Sequence, residues 1–184
     1  FRSRTDVAQE TMGEIMLILN INGPINSGKS TVSKQLVQIL SHAIFIEVDD
    51  LLSDDEEKKL GLTMQAGWGE RLNRLDRIIA NQKNQHQYET IIFAYPMTEN
   101  LYRRWSAHID KNTRFIAVTL APSLEKCLTN RGTRTLTNWE IGRIREMYNE
   151  NYHRPINSDL IINNDGQTSH QTAQQIADYI TKQR

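Results

Sequence analysis

The sequence predicts an α/β fold in which a parallel five-stranded sheet is covered by helices on both faces. Three observations predict it. Apolar runs of strand length alternate with segments of helical period. The first run, Ile15–Ile21 (IMLILNI), is almost continuously apolar, as a strand buried on both faces must be. A glycine-bearing loop joins that run to a helix, and such crossovers are right-handed and force parallel pairing. After the loop, Val32, Leu36, Ile39 and Leu40 recur at helical spacing. Ala43–Val48 (AIFIEV) reads as the second strand and ends in Asp49-Asp50. Ser53–Lys59 is acidic and polar, a solvated loop or helix start. Trp68, Leu72, Leu75 and Ile79 mark an amphipathic helix. Thr90–Tyr95 (TIIFAY) is a third strand stopped by Pro96. Leu101, Trp105 and His108 suggest a short helix, and Arg114–Leu120 (RFIAVTL) a fourth strand. A helix through Leu124, Cys127 and Leu128 follows. Thr137-Asn138-Trp139-Glu140 has the form of a capping box and opens a helix carrying Ile141, Ile144, Met147 and Tyr148. Leu160–Ile162 is a fifth strand, and Ala173, Ile176, Ala177 and Ile180 define the last helix.

Composition narrows the function. The 184 residues amount to about one domain, read as 12–184 after an N-terminal extension, 1–11, that is set aside. Lys plus Arg is 22 and Asp plus Glu is 22, so no whole-chain charge favours nucleic acid. Ile15–Ile21 is the longest apolar stretch and far short of a membrane span, so no membrane partner is expected. A single cysteine, Cys127, excludes an internal disulfide and a Cys-rich zinc site, and fits a cytoplasmic protein. His42, His86, His108, His153 and His170 show no metal-ligand spacing. Oligomeric state is not legible.

The chemistry begins at Gly23-Pro24-Ile25-Asn26-Ser27-Gly28-Lys29-Ser30, which satisfies G-x-x-x-x-G-K-[ST] between a strand and a helix. Glycines let such a loop curl, and its backbone N–H groups then face phosphate oxygens at the helix N-terminus. The expected cofactors are ATP and Mg²⁺. Residues 23–30 and Thr31 are the nucleotide-binding set, with Lys29 reaching the β- and γ-phosphates and Ser30 ligating the metal. Asp49 and Asp50 end the second strand on the same sheet edge, where ligands of open α/β sheets bind. Asp49 is the candidate base and a metal neighbour; Asp50 is read more readily as a helix cap. Strands three and four end without an acid, and no Asn-Lys-x-Asp is present, against a guanine-specific GTPase. Asn130-Arg131-Gly132-Thr133-Arg134 suits a lid whose arginines meet transferring phosphoryl oxygens. Tyr102-Arg103-Arg104, with Tyr95 and Pro96, either line an acceptor site or form a surface helix with Trp105 in the core. Trp68 and Trp139 lie on helical stripes and read as core.

The loop GPINSGKST, Asp49 and the NRGTR segment together resemble the small P-loop kinases, relatives of nucleoside monophosphate kinases, over roughly Ile15 to Ile180. The resemblance implies the three-layer P-loop NTPase fold with a small lid. The nearest local likeness is to the chloramphenicol phosphotransferase and zeta-toxin branch, whose pattern Asn22, Gly23, Gly28, Lys29, Ser30 and Asp49 match, with Arg131 and Arg134 on its lid. Ala94-Tyr95-Pro96 departs from that branch, which carries acids there. Tyr95-Pro96-Met97 lacks the arginine of nucleoside monophosphate kinases, and the glycine-rich turn of shikimate kinases is missing. Tyr102-Arg103 is similar to gluconate and adenylylsulfate kinases. The implied activity is γ-phosphoryl transfer from ATP to a hydroxyl of a small acceptor such as an antibiotic, a sugar or a nucleotide-sugar. The alternatives are a nucleotide-dependent ATPase or switch, and a non-catalytic nucleotide-binding module.

Overall fold

Along the strands, alternate side chains turn to opposite faces, and that alternation builds two cores. A computed structural model describes residues 15–130 and 134–183; Arg131 and the 1–11 extension lie outside them. The first half holds β1 (Met16–Asn22), α1 (Lys29–Ile39), β2 (Ala43–Glu47), α2 (Asp54–Lys59), α3 (Met64–Gln85) and β3 (Thr90–Ala94). The second half holds α4 (Glu99–Ser106), β4 (Thr113–Leu120), α5 (Leu124–Cys127), α6 (Asn138–Asn149), β5 (Leu160–Ile162) and α7 (Ser169–Gln183). A 3-10 turn, Val48–Leu51, links β2 to α2. All strand pairs are parallel, in the order β2-β3-β1-β4-β5.

Leu17, Leu19 and Ile21 of β1 face α1 and α7, where Val32, Leu36, Ala173, Ile176 and Ile180 meet them. Met16 and Ile18 face the other way, into a core with Leu75 and Ile79 of α3 and Trp105 of α4. Trp105 is fully buried, with Phe93 edge-on at 4.7 Å and Tyr95 at 6.2 Å. A third cluster, Cys127, Leu136 and Ile144, anchors the α5–α6 segment.

The predicted strands are all present, with ends shifted by at most about a residue. β1 continues to Asn22 because that buried amide is satisfied in place. Its Nδ2 donates to Thr119 Oγ1 at 2.9 Å and its Oδ1 accepts from Met97 N–H at 2.7 Å. The acidic stretch after β2 is a helix, α2, capped by the Ser53 hydroxyl. Ser53, not Asp50, is therefore its cap. The capping box of α6 forms between Thr137 and Glu140 as expected.

Two aromatic assignments change. Trp139 is 68% exposed rather than core. Trp68 is half-buried and lines a cleft. The Tyr102–Arg104 segment resolves to the surface-helix reading. Arg103 pairs with Glu99 at 2.5 Å, Arg104 with Asp76 at 2.6 Å, and Tyr102 packs on Phe115. Among the described residues no helix is long and apolar enough to cross a membrane.

Candidate active site

In this strand order the chain leaves the central strand β1 in one direction and returns on its other side, so loops diverge at the carboxyl ends of the strands. That crevice is where open α/β sheets hold ligands. The loop 23–30 fills it.

Gly23 sits at φ 142°, and a Cβ there would lie 2.5 Å from Leu120 O and 2.7 Å from Ser27 Oγ. Only glycine fits. Asn26 (φ 63°) and Gly28 (φ 97°) supply the other left-handed turns. Asn26 Nδ2 donates to the carbonyls of Cys127 (2.8 Å) and Thr129 (3.0 Å), tying the loop to the end of α5. Asn164 Nδ2 donates to Ser27 O at 3.1 Å, tying it to the loop after β5. Ile25 packs on the Cys127 cluster. The loop is thus tied in place by its own Asn26 and Ile25 side chains and by Asn164 from after β5.

The N-terminus of α1 is left uncapped. Gly28 offers no side chain, and the first turn carries no acid. Helices α2 to α6 each receive a Ser or Thr cap: Ser53, Thr63, Thr98, Ser123 and Thr137. Free N–H groups and the positive end of the helix dipole therefore point into the loop. Ser27 Oγ and Asn164 Oδ1 are buried there without partners. A triphosphate fits this donor set.

Lys29 turns its ammonium inward, donating to Gly23 O (3.0 Å) and Pro24 O (2.7 Å). Loss of solvent lowers its pKa from the ordinary 10.5 to about 8; Cys127, Asp49 and Glu47 oppose the shift and Arg134 adds to it. Lys29, Asp49, Glu47 and Arg134 are therefore one electrostatic cluster. Arg134 donates to Glu140 at 2.5 Å and is half-exposed. Thr31 is exposed on the first turn of α1.

Asp49 and Asp50 are both exposed on the 3-10 turn. Glu47, the last residue of β2, was not singled out by the sequence. Burial, with Asp49 and Asp50 nearby, raises its carboxyl above the usual range, against a hydrogen bond from the Ser30 hydroxyl. Its signal was available: Glu47 precedes Asp49 by two residues at the same sheet edge. Among the described residues no three or more His, Cys, Asp or Glu side chains form a metal cage. A hard cation would rest on Ser30, phosphate oxygens and water, a donor set suited to Mg²⁺.

Beyond Asp49 lies a second group of side chains. Tyr95 is pushed up in pKa by burial and then by the charges of Asp49 and Tyr152 nearby. Trp68 packs on Tyr95 at 5.9 Å. Arg71, 7% exposed, donates to Leu52 O (2.7 Å), Glu57 (3.2 Å) and Asp49 O (3.4 Å), and lies 4.8 Å over Trp68. Tyr95 was a sequence candidate for an acceptor site, whereas Arg71 was not singled out; the two lie 24 residues apart and are brought together through Trp68 only in the fold. After β5, Asp165 accepts from Ser123 N–H at 2.9 Å, which fixes that loop beside α5.

No protein-family model matches the chain, and no curated protein matches it in sequence. Solved structures do match in fold. The tunicamycin resistance protein of Deinococcus radiodurans has a TM-score of 0.63 at 21% identity, over 90% of this chain and 95% of that one. A sugar kinase from Janibacter sp. HTCC2649 gives 0.65 at 14% identity, over 91% and 95%. Shikimate kinase from Acinetobacter baumannii, in complex with shikimate, gives 0.59 at 18% identity, over 92% and 95%. The fold is that of the small P-loop kinases.

Proposed function

We propose that the protein is an ATP-dependent kinase that transfers the γ-phosphoryl group to a hydroxyl of a small-molecule acceptor. The observation that carries this is the Lys29 ammonium. It is desolvated and bonded to two carbonyls of its own loop, between an uncapped helix N-terminus and the carboxylates Glu47 and Asp49. Fold neighbours named as shikimate kinase and sugar kinase support the reading.

In this mechanism the backbone N–H groups of residues 23–30 and the first turn of α1 hold the phosphates of ATP. Lys29 exchanges the carbonyls of Gly23 and Pro24 for β- and γ-phosphate oxygens. Mg²⁺, when bound, neutralises charge between those phosphates. Ser30 would hold it, and the Glu47 and Asp49 carboxylates would add negative charge beside it. Asp49 accepts the proton of the acceptor hydroxyl as that oxygen attacks the γ-phosphorus. The new O–P bond forms, the bond to the ADP oxygen breaks, and ADP leaves. Arg134, with Arg131, closes over the nucleotide and excludes water, the competing acceptor.

ADP release from Mg-ATP, measured over hydroxyl-bearing acceptors, tests the reading. Acceptor-dependent release is expected, and Lys29→Ala should lower it by about 10²–10³-fold, the scale of a lost charge-stabilising donor. Undiminished turnover in that variant removes the loop from the chemistry.

A further inference from the structure

The cleft beside Asp49 has a chemical character that the phosphate loop does not share. It encloses about 590 Å³ between α2, α3 and the first turn of α6. That is the size of a site for a drug-sized ligand, far larger than one polyol needs. Its apolar walls are Leu62, Met64, Trp68 and Trp139. Met64 is 75% exposed and Trp139 68%. Among the described residues Trp139 makes no ring contact, whereas Trp68 is backed by Tyr95 on one side and the Arg71 guanidinium on the other. One indole is therefore backed by neighbours, and the other lines the cleft with its faces uncovered.

Charge on the cleft is balanced, Asp54 and Glu57 against Lys58 and Arg71. Arg71 is committed to Leu52 O and Glu57, so drawing it onto an anionic substrate would strand the Glu57 carboxylate. Arg71 also donates to the main-chain carbonyl of Asp49 at 3.4 Å, so a residue that lines the cleft reaches the residue that carries the proposed base.

Resting on the kinase reading, we propose that the acceptor is an uncharged molecule whose hydroxyl is carried beside a flat ring, the ring lying against Trp68 and Trp139. Trp139 then acts as a binding residue for the acceptor and has no part in holding ATP. Small polyols, hydroxy acids and phosphorylated acceptors are disfavoured, because the walls offer ring faces and thioether, Arg71 is committed, and the charge of Lys58 is offset by Asp54 on the same cleft.

The test uses the full chain with Mg-ATP and the probes uridine, 1-phenyl-1,2-ethanediol, sorbitol, gluconate and UMP. Uridine and the phenyl diol should quench indole emission, and any turnover should be confined to them. Trp139→Ala should raise the acceptor KM or Kd by about ten-fold, the scale of ring stacking, with ATP affinity unchanged. Trp139→Phe should recover most of it. Because Trp139 is exposed, its loss does not threaten folding. Preferred use of sorbitol, gluconate or UMP overturns the proposal. So does an unchanged ring affinity in Trp139→Ala, or no quenching by either ring probe while a non-hydrolysable ATP analogue still binds. Failure of that analogue to bind instead removes the kinase reading itself.

Discussion

The two sides of the crevice are made differently. The proposed phosphate side is main chain: eight consecutive residues, three left-handed turns and one uncapped helix, braced by the loop's own Asn26 and by Asn164 from after β5. The acceptor side is side chain: Trp68 and Arg71 from α3, Tyr95 after β3, Asp49 after β2 and Trp139 from α6. Every residue except proline offers the same backbone donor, so a backbone site depends on local geometry and tolerates sequence change outside its glycines. A side-chain site depends on which residues the fold brings together. It can be rewritten by a few substitutions while the sheet stays as it is.

The largest expected effect lies where the two sides meet. Asp49→Asn should lower kcat by about 10²–10⁴-fold, the range of a positioned general base, with little change in ATP affinity. Asp50→Asn, on the same exposed turn, should stay near wild type in a steady-state assay. Damage concentrated at Asp50 would move the base by one residue and erase the proposed boundary. Two glycine substitutions give a smaller effect and sharpen the contrast. Gly23→Ala drives a Cβ to 2.5 Å from a backbone carbonyl at positive φ, and should cost about 1–3 kcal/mol in urea unfolding and impair ATP binding. Gly67→Ala, in α3, meets only the flexible end of Glu57. It should displace that carboxylate from Arg71, gain roughly 1 kcal/mol of helix propensity in partial compensation, and alter acceptor KM rather than ATP affinity. Equal damage to ATP binding by both would show that the sides are not separable.

This contrast also explains what was legible beforehand. The strands could be read because parallel strands buried on both faces are apolar runs, and the loop because its geometry is encoded in contiguous residues. Asp49 could be read from position alone. Glu47 was passed over because a carboxylate inside a strand run looks like an interruption. Its meaning comes from the Ser30 hydroxyl, which approaches from another element. Arg71 reads as one more charge on a helix; only the fold buries it against Leu52 O and Glu57. Trp139 shows the limit most plainly. It stands two and five residues before Ile141 and Ile144, offsets of about 200° and 140° around a helix, so it does not share their buried stripe even though its apolar ring suggests core.

The smallest expected effect is a pH dependence that separates binding from turnover. In the free protein Lys29 loses its proton near pH 8 because enclosure disfavours the ammonium. Only the protonated form matches a phosphate. kcat/KM for ATP, which reports the free enzyme, should therefore fall with an apparent pKa of about 8 as pH rises. Bound phosphate restores the ammonium, so kcat at saturating ATP should hold to higher pH. The same shift acts on folding with the opposite sign. Between about pH 8 and 10.5 the unfolded chain keeps a proton that the folded chain has released, so the stability of the nucleotide-free protein should rise across that window. Lys29→Met should flatten both trends. If kcat/KM falls near pH 8 but Lys29→Met leaves the stability trend intact, the titrating group is elsewhere. The inward-facing ammonium would then not be what readies the loop for ATP.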